Sequence, residues 1–269
     1  MRKLFLLFIP LISFFGCEKD NPNANINGLP KCMLVEKETV LTTNSGVPST
    51  PYITNYQWTG LQCSWDNDGV GGYTQFNENG DTIKYFHYDV SGAYEANYTY
   101  DSSNRLIEKI SIQDWSDYYN DGSSSTTTTT YSWDGLTANY ISVDTGHPYI
   151  DSGYKVFHEN GDIIEWFQDS PVMEDGEPTS FLPSTIIYEY DSSNRLIKES
   201  LSFSSASISQ GYIVEYNWDG LTANWTKSYQ DGNALENGYK TYNIYGYILE
   251  AYYTGNVHDR RYTYTYDCQ

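Results

Sequence analysis

Tyr188-Glu189-Tyr190-Asp191-Ser192-Ser193-Asn194-Arg195-Leu196-Ile197-Lys198-Glu199 decides the fold, because the chain carries it twice. The other copy is Tyr98-Thr99-Tyr100-Asp101-Ser102-Ser103-Asn104-Arg105-Leu106-Ile107-Glu108-Lys109. In each, an alternating Tyr/polar segment runs into a polar knot and leaves as a second alternating segment, which is the pattern of a β-hairpin. Asn104 and Asn194 fall where the turn needs a left-handed backbone, and asparagine tolerates that conformation better than any residue except glycine. Asp101 and Asp191 are placed to hydrogen-bond the turn backbone.

Two further elements repeat around this one, each three times. Tyr56-Gln57-Trp58-Thr59-Gly60-Leu61 recurs as Tyr131-Ser132-Trp133-Asp134-Gly135-Leu136 and as Tyr216-Asn217-Trp218-Asp219-Gly220-Leu221. Phe76-Asn77-Glu78-Asn79-Gly80-Asp81 recurs as Phe157-His158-Glu159-Asn160-Gly161-Asp162, and more loosely as Tyr242-Asn243-Ile244-Tyr245-Gly246-Tyr247. The Asp-Gly pairs read as two-residue type I′ loops, and the glycine of the second element as the left-handed end of a three-residue loop. Each unit therefore holds three hairpins. The fold expected is all-β, an antiparallel meander of about eighteen strands in three six-strand repeats.

The paired hairpin resembles the YD repeat of RHS-type bacterial proteins, in which Tyr-Asp-x-x-Gly-Arg-Leu recurs; Asn104 and Asn194 stand at its glycine. The resemblance implies serial β-hairpins and no particular activity. A lipoprotein of this length with such repeats is also similar to a Bacteroidota family described as having a porin-like β fold.

The third unit stops at Tyr262-Thr263-Tyr264-Thr265-Tyr266-Asp267-Cys268-Gln269, one strand short. The missing strand stands at the other end: Leu34-Val35-Glu36-Lys37-Glu38-Thr39-Val40 aligns without a gap with Leu106-Ile107-Glu108-Lys109-Ile110-Ser111-Ile112. Cys268 then takes the place of Ser102 and Cys32 that of Asn104, in a turn that the termini have cut open. A Cys32–Cys268 disulfide is expected to close the sheet into a barrel, with Cys32–Cys63 the next pairing. Cys63 aligns with Ala138 and Ala223 and reads as a small buried thiol. A closed round sheet of this many strands has a radius of roughly 15–18 Å. Such a barrel is either flattened around packed aromatics or encloses a cavity.

The first residues read as a targeting segment. Arg2 and Lys3 precede an apolar run from Leu4 to Phe15, too short for a stable membrane span. The run ends Ser13-Phe14-Phe15-Gly16-Cys17, which resembles the lipobox of bacterial lipoproteins, with Phe14 where leucine is usual. That resemblance makes residues 1–16 the signal peptide and Cys17 the lipidated first residue. Glu18-Lys19-Asp20 resembles the charged export tag of Bacteroidota surface lipoproteins. Residues 17–31, rich in asparagine, form a tether, and 32–269 form one domain. The address expected is the outer membrane, lipid-anchored, at the cell surface.

The formal charge of −20, with 15 Lys and Arg against 35 Asp and Glu, argues against a nucleic-acid partner and against lying flat on an anionic membrane. It favours a soluble monomer.

The chain lacks the marks of common catalytic sites. The four histidines (His87, His147, His158, His258) have no metal spacing, His158 replaces a turn asparagine, and no nucleophile elbow or phosphate loop occurs. Asp66-Asn67-Asp68-Gly69 and Asp117 to Gly122 only partly match a calcium loop and read as solvated acidic loops. Hence neither cofactor nor metal is expected. Trp58, Trp133 and Trp218 share one repeat position, Trp65, Tyr140 and Trp225 another, and Trp166 aligns with Tyr85, so these are wall residues. Only Trp115 has no counterpart. It lies beside Tyr118 and Tyr119 in the connection from Gln113 to Ser125, and the three form a candidate sugar-stacking cluster.

Tight turns alternate with longer connections, which puts the long ones (Trp65 to Gly72, Gln113 to Ser125, Val143 to Asp151, Asp169 to Pro183, Ser228 to Asn237) on one rim. The functional expectation is a non-enzymatic lipoprotein that binds a glycan or a surface protein there. The alternatives are a β-repeat scaffold without a small-molecule site, and a glycan-active enzyme with an unrecognised carboxylate pair. A membrane-spanning porin is disfavoured, since lipid-facing apolar alternation is weak.

Overall fold

The structure is a computed structural model, and it describes residues 25–26, 29–30, 32–43, 48–67, 69–90, 92–114, 124–145, 150–174, 177–204, 211–254 and 258–268. A small ribbon, β1 (Asn25–Ile26) and β2 (Leu29–Pro30), lies in the tether. The rest is one sheet. Its strands are β3 (Cys32–Thr43), β4 (Tyr52–Thr59), β5 (Gln62–Asn67), β6 (Val70–Phe76), β7 (Thr82–Asp89), β8 (Gly92–Tyr100), β9 (Leu106–Asp114), β10 (Ser124–Asp134) and β11 (Thr137–Asp144). They continue as β12 (Ile150–Phe157), β13 (Ile163–Glu174), β14 (Glu177–Tyr190), β15 (Leu196–Phe203), β16 (Tyr212–Asp219), β17 (Thr222–Tyr229), β18 (Ala234–Tyr242), β19 (Ile248–Tyr253) and β20 (His258–Cys268). Each pairs antiparallel with its chain neighbours, and β20 pairs with β3, so the eighteen strands close into a barrel.

The split hairpin accounts for that closure. Tyr266 faces Leu34 across β20 and β3, as Tyr100 faces Leu106 and Tyr190 faces Leu196. A register shift precedes the tyrosine in all three, at Thr265/Tyr266, Thr99/Tyr100 and Glu189/Tyr190. A tryptophan from the next hairpin marks the same place each time. Trp58 Nε1 donates to Leu34 O at 3.0 Å, Trp133 Nε1 to Leu106 O at 2.8 Å and Trp218 Nε1 to Leu196 O at 2.8 Å. The first strand of the domain thus occupies the position that the alignment gave it.

The turns of the intact YD-like hairpins follow the expected chemistry. Asn104 and Asn194, both at φ 61°, are the only described non-glycine residues with positive φ. Asp101 Oδ1 accepts from the Ser103 and Arg105 amides at 2.8 and 2.9 Å, and Oδ2 from Arg105 Nε at 2.9 Å; Asp191 repeats the pattern. Adjacent turns are laced together by the same asparagines: Asn104 Nδ2 donates to Asp81 Oδ2 at 2.6 Å, and Asn194 Nδ2 to Asp162 Oδ2.

The other two-residue turns differ from expectation by one position. Asp134 pairs with Thr137, so the loop is Gly135-Leu136, not Asp134-Gly135, and positive φ is confined to the glycine (57°). Gly220 (58°) and Gly60 (59°) are alike. Positive φ at the first central residue alone defines type II′, which leaves leucine at the second.

Several connections read as long are strands instead. β5 and β6 run to a tight turn between Asn67 and Val70, and Ser228 to Asn237 is a hairpin whose left-handed residue is Gly232 (φ 89°). Asp169 to Pro183 continues β13 and β14 up to a Glu174–Glu177 pair, a two-stranded ribbon extending past the ladders of β12 and β15. Polar composition hid these extensions, because backbone pairing does not require apolar side chains.

The repeats share one feature not singled out in the sequence. Gly72, Gly153 and Gly238 each precede a tyrosine at equivalent positions. A Cβ at each would lie 2.1, 2.1 and 1.9 Å from the carbonyl oxygens of Phe86, Phe167 and Tyr252, on the next strand. Trp65, Tyr140 and Trp225 lean over the same glycines. Glycine is required because two strands and a ring converge there. Gly153→Ala is expected to destabilise the fold by about 1–3 kcal/mol through overpacking, seen as a lower urea midpoint at unchanged slope.

Cysteine placement both supports and corrects the sequence reading. Cys32 and Cys268 face each other as the last register pair of the seam, as the split hairpin requires; their side chains lie outside the described residues. Cys63 is fully buried, where Ala138 and Ala223 are also buried, but it is not the expected free thiol. It is disulfide-bonded, to a partner outside the described side chains. The other cysteines are Cys17, Cys32 and Cys268, and a bond to Cys32 or Cys268 removes the Cys32–Cys268 bridge. Peptide mapping without reductant is expected to return Cys63 joined to one of them; a Cys32–Cys268 peptide with Cys63 alkylated would reverse that assignment.

Candidate functional site

Ladder parity sorts the described strand side chains to the inside or the outside of the wall. The inside is aromatic. Trp58 and Phe76 stack at 5.8 Å, Trp133 and Phe157 pack at 5.4 Å, and Trp218 and Tyr242 at 5.4 Å, the same contact in each unit. A second set comprises Trp65 with Tyr85 and Tyr140 beside Trp166 (Trp166 Nε1 donates to Tyr140 Oη at 3.2 Å); in the third unit Ala251 holds that position and Trp225 packs on Tyr253, one inward step along the strand. Near the seam this lining consolidates into a core of Leu34, Tyr56, Cys63, Phe76, Ile248, Ala251 and Tyr264. Elsewhere Tyr98, Tyr131, Trp133, Trp166, Tyr188, Tyr216 and Trp218 are only half-buried, so the lining keeps accessible ring surface.

The outside is mixed: Ile53, Ile112, Ile141, Val143 and Ile187 are exposed on it among polar residues, and three aromatic pairs stack there, Tyr73–Phe86, Tyr154–Phe167 and Tyr239–Tyr252, at 5.5, 5.2 and 5.6 Å. Two of these tyrosines donate to outward carboxylates, Tyr154 to Glu165 at 2.7 Å and Tyr239 to Glu250 at 2.8 Å. Ion pairs Lys84–Glu95, Lys198–Glu189 and Arg261–Glu250 cross the outer face.

Lysines also face inward, each over a ring. Lys227 Nζ lies 4.0 Å from the Tyr212 ring centre, Lys155 4.4 Å from Trp166, and Lys37 4.8 Å from Tyr262. Burial pulls Lys37 down from 10.5 to about 8, and burial with repulsion from Lys109 lowers Lys155. Asp151 also faces inward. Burial raises its pKa above the usual carboxylate value, although Ser170 Oγ and Gln168 Nε2 both donate to it at 3.2 Å.

Trp115, Tyr118, Tyr119 and Cys17 fall outside the described residues. His158 is a turn residue, as expected, with Nδ1 3.0 Å from Asn160 Oδ1. Among the described residues, no group of three His, Cys, Asp or Glu side chains could hold a metal ion. The inward lysines were missed because each sits singly in a polar strand; only the closed register brings them to one surface.

No family model matches this chain, and no curated protein does. Among solved structures it is similar to a porin-like protein from Bacteroides uniformis, with 9% identity and a TM-score of 0.34, covering 87% of this chain and 98% of that chain. It is also similar to a porin-like protein from Bacteroides vulgatus, with 11% identity, a TM-score of 0.28 and the same coverages.

The tyrosine lining has a consequence at high pH. Burial pushes Tyr85 and Tyr190 up to about 12 from the ordinary 10.0, and raises Tyr56, Tyr98, Tyr140, Tyr188, Tyr216 and Tyr264 further. The folded state therefore holds more protons than the unfolded chain above pH 10, and stability falls as pH rises from 10 toward 12. Lys37 acts in the opposite sense between its folded value of about 8 and 10.5, where its deprotonation in the folded state makes stability rise with pH. The tyrosines outnumber it. Tyrosinate absorbance should appear late and cooperatively, together with loss of the sheet signal in circular dichroism; smooth titration near pH 10 with the fold intact would contradict this.

Proposed function

We propose that the mature chain is a non-enzymatic lipoprotein, held at the outer membrane by lipid on Cys17, whose barrel binds an extracellular glycan. The observation that supports this reading is the polarity of the wall. A spanning barrel places its apolar residues outward and its polar residues inward. This barrel does not follow that pattern: aromatic rings line its interior, and Lys84, Lys198, Arg261 and their carboxylate partners stand on its outer face. Lys or Arg at a bilayer midplane costs about 2–4 kcal/mol each. A wall suited to water on its outside needs another attachment, and the Ser13-to-Cys17 sequence supplies one.

The glycan reading is supported by accessible aromatic surface. Flat rings at an open mouth can stack on sugar rings, and inward hydroxyl and amide groups can take their hydroxyls. Trp115, Tyr118 and Tyr119, in the connection between β9 and β10, are the rim contacts in this reading. The net charge of −20 favours a monomer.

Display on cells tests both halves. Cells expressing the chain should bind at least one labelled polysaccharide from a broad set. Cys17→Ser should release the barrel from the membrane fraction, and Trp115→Ala should lower cell binding several-fold without changing the amount displayed. No binding to any polysaccharide, with display verified by antibody, would refute the glycan reading.

A further inference from the structure

Charge is distributed unevenly across this wall and along it. Lys84 and Lys198 face outward in ion pairs, while Lys37, Lys109, Lys155, Lys227 and Lys240 face inward. Four of these five fall on two repeat-related levels near the tight-turn rim. Lys37 opposite Tyr264, Lys109 opposite Tyr98 and Glu199 opposite Tyr188 form one level. Thr74 opposite Tyr85, Lys155 opposite Trp166 and Lys240 opposite Ala251 form the other. Lys109 and Lys155 are close enough that the charge of one acts on the other. The inward carboxylates Asp89, Asp144, Asp151 and Glu236 lie toward the opposite rim, as the registers show. Glu199 is the exception, and its Oε1 accepts from Tyr212 Oη at 2.8 Å.

A second observation falls at the same depth. Among the described residues, Thr74 Oγ1, Tyr264 Oη and Trp225 Nε1 are buried with no hydrogen-bond partner, as is one acceptor, Asp169 Oδ1, which lies toward the other rim on the outward parity. Thr74 belongs to the ring, Tyr264 faces Lys37, and Trp225 is one inward step from the strand position opposite Lys240. All three are hydrogen-bond donors, and the indole N–H can do nothing else. Buried donors call for an acceptor, and two half-buried lysines that feel each other's charge, Lys109 and Lys155, favour an anion over a neutral ligand.

We infer that this ring is an internal binding site for a sugar bearing an oxyanion, carboxylate or sulfate ester, with the anion on Lys109 and Lys155 and the sugar ring against the neighbouring aromatic faces. The inference rests on the glycan-binding reading and narrows it, from any glycan at the rim to an acidic one inside the wall. Carboxylate and sulfate present the same chemistry to an ammonium group.

The test is a titration of the soluble mature protein with glucose, glucuronate and glucose sulfate, followed by tryptophan fluorescence, since Lys155 lies over Trp166. Glucuronate, the sulfate ester or both should give a saturable change where glucose gives none, and the responding sugar identifies the anion. Lys155→Gln and Lys109→Gln should each weaken that response by roughly tenfold, the loss of one charge-assisted contact. Thr74→Val, which leaves the lysines in place, should weaken it less, and it carries the test if a lysine variant fails to fold by circular dichroism. Equal responses to glucose and glucuronate, or undiminished affinity in all three variants, would overturn the inference. Surface binding of neutral polysaccharide that depends on Trp115 would then leave the broader reading standing. No saturable response to any sugar, together with no binding to displaying cells, would remove both.

Discussion

The seam between β20 and β3 is the constraint on which the rest depends. An antiparallel meander is built from local pairings, and each YD-like hairpin forms from residues close in the chain. A meander alone leaves two free edges, whose unpaired amides and carbonyls invite association with another chain. Here two segments far apart in the chain supply the two halves of a third YD-like hairpin, from His258↔Thr43 to Cys268↔Cys32. Bringing such distant segments together costs loop-closure entropy that grows only slowly with length. Once made, the seam removes both edges and fixes which face of every strand is inside.

From that closure follows the chemistry of the two surfaces. With register fixed, one parity of side chains shares the interior, and residues far apart in sequence become neighbours around a ring. Tryptophans at one repeat position each donate to the carbonyl of a leucine in the adjacent hairpin, holding the units at constant spacing. Gly72, Gly153 and Gly238 leave room for a carbonyl of the next strand and for an overlying ring. The other parity carries Thr, Ser, Asn and paired charges, with single exposed isoleucines and a valine among them.

The inner wall is also where the three units cease to be equivalent. Lys37, Lys109 and Glu199 hold one repeat position, and Thr74, Lys155 and Lys240 hold another. A purely structural lining would be served by one residue type at each. The variation breaks the threefold symmetry of the lumen while leaving the backbone symmetric, which is how a repeat architecture acquires an oriented site without altering its fold.

The repeat phrases, the turn glycines and asparagines, and the gapless alignment of Leu34 to Val40 with Leu106 to Ile112 determined the strand number, the antiparallel order and the closure. These are local or periodic properties, written in the order of residues. The sequence misplaced the Asp134-Gly135 turn by one residue, because type I′ and type II′ loops share their glycine and differ in a single φ. It took Asp169 to Pro183 for a loop because backbone pairing leaves little trace in a polar composition. It read Cys63 as a thiol because disulfide partners are set by distance in space. The inner lysine ring was decided only by tertiary structure: its members lie on separate strands, and nothing except the closed register sets them at one depth.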